Sequence, residues 1–138
     1  QIDVLRSDGY SKEQICIVSE IRRVMGISDL PITVTAVRVP VFHSHAVSLN
    51  VELERNLTVE NCITLLQSTD GVEVSSDPLE YPMQLEVTGT DTVHAGRIRR
   101  DPSVAAGLNL WVVADNVRKG TAINMIQIVR KLTEKFGD

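Results

Sequence analysis

Arg38 and His45 stand seven residues apart in the stretch Arg38-Val39-Pro40-Val41-Phe42-His43-Ser44-His45. A guanidinium is a fixed fork of donors that suits a carboxylate or phosphate, and an imidazole is the side chain best placed to move a proton near neutral pH. An anion-gripping group and a proton-moving group on one short stretch suit chemistry on a small acidic molecule. The alternative is an ordinary surface ion pair at Arg38 with incidental histidines.

These two side chains need a frame. Residues 32–38 alternate apolar and polar, which predicts a strand with one buried face that Arg38 closes. Pro40 has no N–H to donate and bends the chain. Alternation resumes over 46–54, a second strand, so His45 sits at its threshold. Upstream, Ser11-Lys12-Glu13-Gln14 is a capping-box pattern that starts a helix with apolar Ile15, Val18, Ile21 and Met25 on one side, ended by Gly26. Downstream, Thr58 caps a helix over 59–67 with Cys62, Ile63, Leu65 and Leu66 turned inward. Asp70-Gly71 is a turn, 72–74 a short strand, and 75–82 a polar loop punctuated by proline. Further strands are expected at 83–87, 92–98 and 108–114, the last being the most apolar and therefore central. Asp115-Asn116 then caps a final helix with the stripe Ala122, Met125, Ile126, Val129, Leu132 and Phe136. Strands and helices alternate irregularly, so the expected class is α+β: a mixed, largely antiparallel sheet with helices packed on one face.

Composition bounds the function. The 138 residues, 43% apolar and 23% charged, suit a single globular domain over 1–138. A net charge of -4 with no basic stripe argues against nucleic acid, and no apolar run reaches the length of a membrane span. Two cysteines make no disulfide framework and fit a reduced, cytoplasmic setting. The opening Gln1-Ile2-Asp3-Val4 reads as the interior of a longer protein. His43 and His45 lack further clustered ligands, so no metal site is expected. Trp111 reads as core or interface. Alternation puts Arg97 and Arg99 on one face, where an exposed ion-paired surface is the default.

Four motifs occur in order: Arg38-Val39-Pro40-Val41-Phe42 ending at His45; Glu80-Tyr81-Pro82-Met83; Gly96-Arg97-Ile98-Arg99 continuing through Asp101-Pro102-Ser103-Val104; and Gly107-Leu108-Asn109-Leu110-Trp111-Val112-Val113-Ala114-Asp115-Asn116 continuing through Arg118-Lys119-Gly120. Together they resemble the C-terminal part of aspartate-β-semialdehyde dehydrogenase, over nearly the whole chain. The resemblance implies a glyceraldehyde-3-phosphate-dehydrogenase-like C-terminal domain that carries substrate groups and a dimer interface, in a homodimeric or homotetrameric enzyme. It also implies an N-terminal Rossmann domain that binds NADP. No glycine-rich phosphate turn after a strand occurs in this chain, so that domain is expected to be absent from it, and this chain alone is expected to be inactive. The implied reaction is NADPH-dependent reduction of L-aspartyl 4-phosphate to L-aspartate 4-semialdehyde with release of phosphate, on the route to lysine, methionine and threonine.

Carried over by position, the resemblance makes Arg38 the residue that holds the substrate α-carboxylate, Glu13 the one that receives its amino group, and His45 the acid/base. It places Asn116 near the nicotinamide amide of the cofactor. It also exposes departures. The family has Glu-x-x-Lys at the start of the first helix, the lysine helping to hold phosphate, whereas Cys16 stands three residues after Glu13 here. Ser44 stands where many members have glycine. Asn61-Cys62-Ile63-Thr64 is similar to the setting of the family's nucleophilic cysteine, but Cys62 follows His45 and lies on an apolar helix face, so it is read as a small core residue. Cys16 is likewise expected to be structural. Two other readings stay open: a non-catalytic homologue kept as a dimerising or interaction module, and a reductase of a related acyl phosphate or acyl thioester.

Overall fold

Ser11 starts the first helix by the reciprocal contacts that its sequence predicts. Its hydroxyl accepts from the Gln14 N–H at 3.2 Å, while the Gln14 side chain accepts from the Ser11 N–H at 2.8 Å. The helix, α1 (Lys12–Met25), ends where Gly26 turns left-handed at φ 69° and its N–H bonds back to the last turn. The computed structural model describes residues 4–137, so residues 1–3 and Asp138 lie outside it. The chain divides into two compact units, Gln1–Pro40 and Val41–Asp138.

In the first unit the expected strand over 32–38 is corrected. Ile32, Val34 and Ala36 are half-buried while Thr33, Thr35 and Val37 are exposed, so the period of two is real. No ladder forms along it among the described residues. Alternation reports which side chains are covered; a strand also needs a neighbouring edge for its N–H and C=O groups. The apolar stripe of α1 is only partly covered within this unit. Ile15 and Val18 are half-buried, Ile21 and Met25 are exposed, and the buried side chain is the capping Gln14.

The second unit is built on a four-stranded mixed sheet. Its strands are β1 (His45–Glu52), β2 (Val72–Val74), β3 (Val93–Asp101) and β4 (Gly107–Ala114), in the order β1-β4-β3-β2. β4 is antiparallel to both neighbours, and β2 runs parallel to β3. The expected class, α+β with a largely antiparallel sheet, is the one observed. The most apolar strand is interior, with Leu108 and Val113 fully buried. The strand expected over 83–87 is corrected: the segment is a single helical turn, α3 (Gln84–Val87). There the Met83 carbonyl accepts from the Glu86 and Val87 N–H groups, and the Thr88 hydroxyl donates to the Gln84 carbonyl. Alternating Met83, Leu85 and Val87 misleads because Met83 and Leu85 are exposed and only Val87 is buried. Helix α2 (Val59–Gln67), capped by Thr58, packs on β2 and β3 with Cys62 buried, while Leu65 faces outward.

Two devices shape the sheet. A bulge between Gly96 and Arg99, with Arg97 at φ 55°, breaks the alternation that would have kept Arg97 and Arg99 in simple register. Arg97 instead lies over the Tyr81 ring, 5.4 Å from its centre. A Cβ on Gly96 would come within 2.7 Å of Pro82, so glycine there lets the 81–82 backbone approach β3 closely. The Trp111 indole donates to the Pro82 carbonyl at 2.9 Å and holds that loop down.

The expected final helix forms, but later than its sequence suggests. A π-helical turn (Arg118–Ile123) precedes α4 (Asn124–Phe136). The stripe Met125, Ile126, Val129, Leu132 and Phe136 is helical, yet each of these side chains is at least half exposed.

The β3–β4 turn is locked by Asp101. Its carboxylate accepts from the Ser103 N–H at 2.9 Å and hydroxyl at 2.7 Å, and also from the Asn50 amide on β1. Those bonds, the Ser103 N–H foremost, hold the carboxyl below the usual carboxylate range. A carboxyl with a lowered folded pKa stabilises the fold above its unfolded value of about 3.9 and loses that contribution as pH falls below it. Urea unfolding of wild type and Asp101→Asn should therefore show a stability gap at pH 7 that narrows below about pH 4. A gap independent of pH contradicts this role.

Candidate functional site

The sequence-predicted residues gather in two groups, one in each unit. In the first, the Arg38 guanidinium donates to the Glu13 carboxylate at 2.8 Å. Glu13 sits in the first turn of α1, where the helix dipole favours an anion, and the extended segment 31–39 brings Arg38 back to it. Both side chains reach solvent, at 52% and 31% exposure, so a ligand can compete for them. Their chemistry is complementary to an amino acid: an ammonium suits the carboxylate and a carboxylate suits the guanidinium. Cys16, one turn further along α1, is exposed. A cysteine side chain contributes no positive charge toward a phosphate.

In the second unit, His45 is the first residue of β1 and pairs in register with Ala114, the last of β4. Its imidazole is exposed. The preceding Ser44 is buried, at φ 70°, and its N–H donates to the Asn116 side-chain oxygen at 3.1 Å. Asn116 therefore does not cap the final helix, as the sequence suggested. Asp115 takes that work: its carboxylate accepts from the Val117 and Arg118 N–H groups at 2.9 and 2.8 Å. It also accepts from the Gly89 N–H at 2.9 Å, just after α3. The Arg118 and Gly89 N–H groups chiefly hold the Asp115 carboxyl below the usual range against its burial, with a smaller contribution from the charge of His43. With its oxygen engaged by Ser44, Asn116 offers its amide N–H groups as the available hydrogen-bond donors.

Sequence reasoning marked Ser44 only as a departure from glycine, and it missed the bonds of Ser44 to Gln84, Thr88 and Asn116 and the bridging role of Asp115. Asp115 had a local signal, since an aspartate two and three residues before a helical turn is a natural acceptor for its first N–H groups. The bonds of Ser44 had none, because its partners lie 40 to 72 residues away. His94 is held locally: its Nε2 lies 3.1 Å from the hydroxyls of both Thr90 and Thr92. Arg118 pairs with Asp91 at 2.6 Å on the surface. A cavity of about 720 Å³ lined by Glu73, Glu80, Tyr81, Glu86 and His94 is bordered by neither His45 nor Asn116. Among the described residues no group of three or more His, Cys, Asp and Glu is gathered to hold a metal. No helix of the described residues is long and apolar enough to cross a membrane.

Cys62 is buried, and desolvation pushes its thiol above the ordinary value, while Cys16 is exposed. A thiol reagent at neutral pH should label one cysteine per native chain quickly and the second only on unfolding. Rapid labelling of both in the native protein would show that Cys62 is not a sealed core residue.

The geometry can be set beside known proteins. A family described as semialdehyde dehydrogenase, dimerisation domain, has a model that matches residues 1–119. The aspartate-semialdehyde dehydrogenase of Aquifex aeolicus is 40% identical over 136 residues, which are 97% of this chain and 40% of that protein. That of Bacillus subtilis is 38% identical over 135 residues, 96% of this chain and 39% of that protein. Among solved structures, aspartate semialdehyde dehydrogenase II from Vibrio cholerae is similar with a TM-score of 0.90 at 40% identity, over 99% of this chain and 41% of that one. It has also been solved complexed with ASA. A probable aspartate-semialdehyde dehydrogenase from Pseudomonas aeruginosa is similar with a TM-score of 0.88 at 28% identity, over 96% of this chain and 40% of that one. The chain thus spans about two fifths of the length of these relatives.

Proposed function

Because the chain belongs to the semialdehyde dehydrogenase dimerisation-domain family, we propose that it is the substrate-holding and proton-transferring part of an aspartate-semialdehyde dehydrogenase. The observation that carries this reading is the exposed Glu13–Arg38 pair, at 2.8 Å a ready-made receptor for an α-amino acid. A substrate that arrives with its own ammonium and carboxylate replaces the internal ion pair by two external ones. The fork geometry of Arg38 fixes the substrate's orientation as well as its charge.

His45 is the acid/base. It takes the proton of the attacking thiol and returns one to the oxygen of the tetrahedral adduct, within one turnover. The thiol belongs to the part of the enzyme outside this chain, as does the dinucleotide-binding domain. NADP supplies or accepts the hydride. Asn116 is suited to the cofactor's carboxamide oxygen, since the amide N–H groups remain as donors. This chain alone is inactive on this reading, because an imidazole cannot act as the acyl carrier.

The sheet supports self-association into a homodimer. Val47 and Leu49 on β1, 47% and 38% exposed, face the same way as their half-buried partners Val112 and Leu110 on β4. They leave a contiguous apolar surface suited to a second copy.

Steady-state kinetics of the enzyme that carries this chain test these roles. Arg38→Ala should raise KM for aspartate semialdehyde about ten- to a hundredfold, as expected for losing a charge-assisted grip, and Arg38→Lys should recover little of it. His45→Ala should lower kcat about 10²- to 10⁴-fold. The reverse assignment of KM and kcat effects would overturn the roles. Cys16→Lys restores a cation one turn from Glu13 and should lower KM for phosphate. An unchanged phosphate KM would mean that the anion is held elsewhere.

A further inference from the structure

Resting on the reading of His45 as the acid/base, we infer that Ser44 is a positioning residue, a three-way latch that fixes the backbone entering His45. Every polar group of Ser44 is engaged. Its N–H donates to Asn116 Oδ1 at 3.1 Å, its carbonyl accepts from Gln84 Nε2 at 3.3 Å, and its hydroxyl lies 2.9 Å from Thr88 Oγ1. The Thr88 hydroxyl proton is directed at the Gln84 carbonyl, 2.8 Å away, so in the Ser44–Thr88 contact Ser44 is the donor. The latch therefore ties the residue before His45 to α3, to the turn after it, and to the junction beyond β4.

The conformation gives this arrangement its meaning. Ser44 is at φ 70°, a left-handed region that is strained for a residue with a Cβ and that glycine enters freely. Serine is also 3% exposed there, so its hydroxyl is removed from water and needs a protein partner. If the position only required a left-handed turn, glycine would serve it better. Serine instead accepts backbone strain and uses its hydroxyl and main chain to pin the turn from two sides. The next residue begins β1, so a rotation at Ser44 would redirect the His45 side chain before the β1–β4 ladder takes hold.

A purely structural account and the latch predict opposite results for one substitution. Ser44→Gly removes the hydroxyl and relieves the strain. The latch predicts that kcat of the enzyme carrying this chain falls about tenfold, with KM for aspartate semialdehyde within about twofold and the thermal midpoint unchanged or higher. Thr88→Val, which removes the acceptor, should show the same split, Thr88→Ser should restore kcat, and the Ser44→Gly/Thr88→Val double variant should be no worse than either single one. Full kcat in Ser44→Gly and Thr88→Val, beside a damaged His45→Ala, overturns the latch alone. A silent His45→Ala overturns the acid/base reading and the latch with it.

Discussion

The carboxylate of Asp115 is the point on which the second unit turns. It lies at the end of the central strand, is almost fully buried, and receives three backbone N–H groups from two directions. Two come from the start of the π-helical turn and one from the turn after α3. A carboxylate withdrawn from water needs such donors; with them it becomes a rivet between three segments. Asn116, next in the chain, is then free of capping and reaches Ser44 instead. The placement of His45 thus depends on which of two adjacent polar residues takes the helix start.

Much of this was legible from local chemistry. Ser11 with Gln14 and Thr58 name their helix starts, Gly26 names an end, and the run of apolar residues from Leu108 names the interior strand. Those signals lie within a few residues of what they specify. The failures share the opposite property. Residues 32–38 alternate as a strand should, but pairing needs an edge elsewhere, and no spacing announces one. Residues 83–87 alternate too, yet the Thr88 hydroxyl and the Met83 carbonyl close a helical turn. Ser44 meets Gln84, Thr88 and Asn116 across 40 to 72 residues, so no local spacing announces these bonds. The meeting of Glu13 with Arg38, 25 residues apart, was reachable only through the family likeness.

The chemistry divides along the same line. On the proposed reading, gripping an amino acid falls to two accessible opposite charges in the Gln1–Pro40 unit. On the same reading, directing a proton falls to the His45 imidazole of the Val41–Asp138 unit, held by the sheet and the bonds around Ser44. Cys16, in place of the lysine that the family resemblance implies, is proposed to bear on a third task, holding phosphate, apart from the other two.

The enzyme carrying this chain is proposed to recognise an amino-acid aldehyde. The most direct measurement compares kcat/KM for NADP- and phosphate-dependent oxidation of aspartate semialdehyde with that of propanal, which has the same reacting end and neither charged group. A site built to pair those charges should favour aspartate semialdehyde by about 10⁴-fold. Comparable values for the two aldehydes would contradict the account.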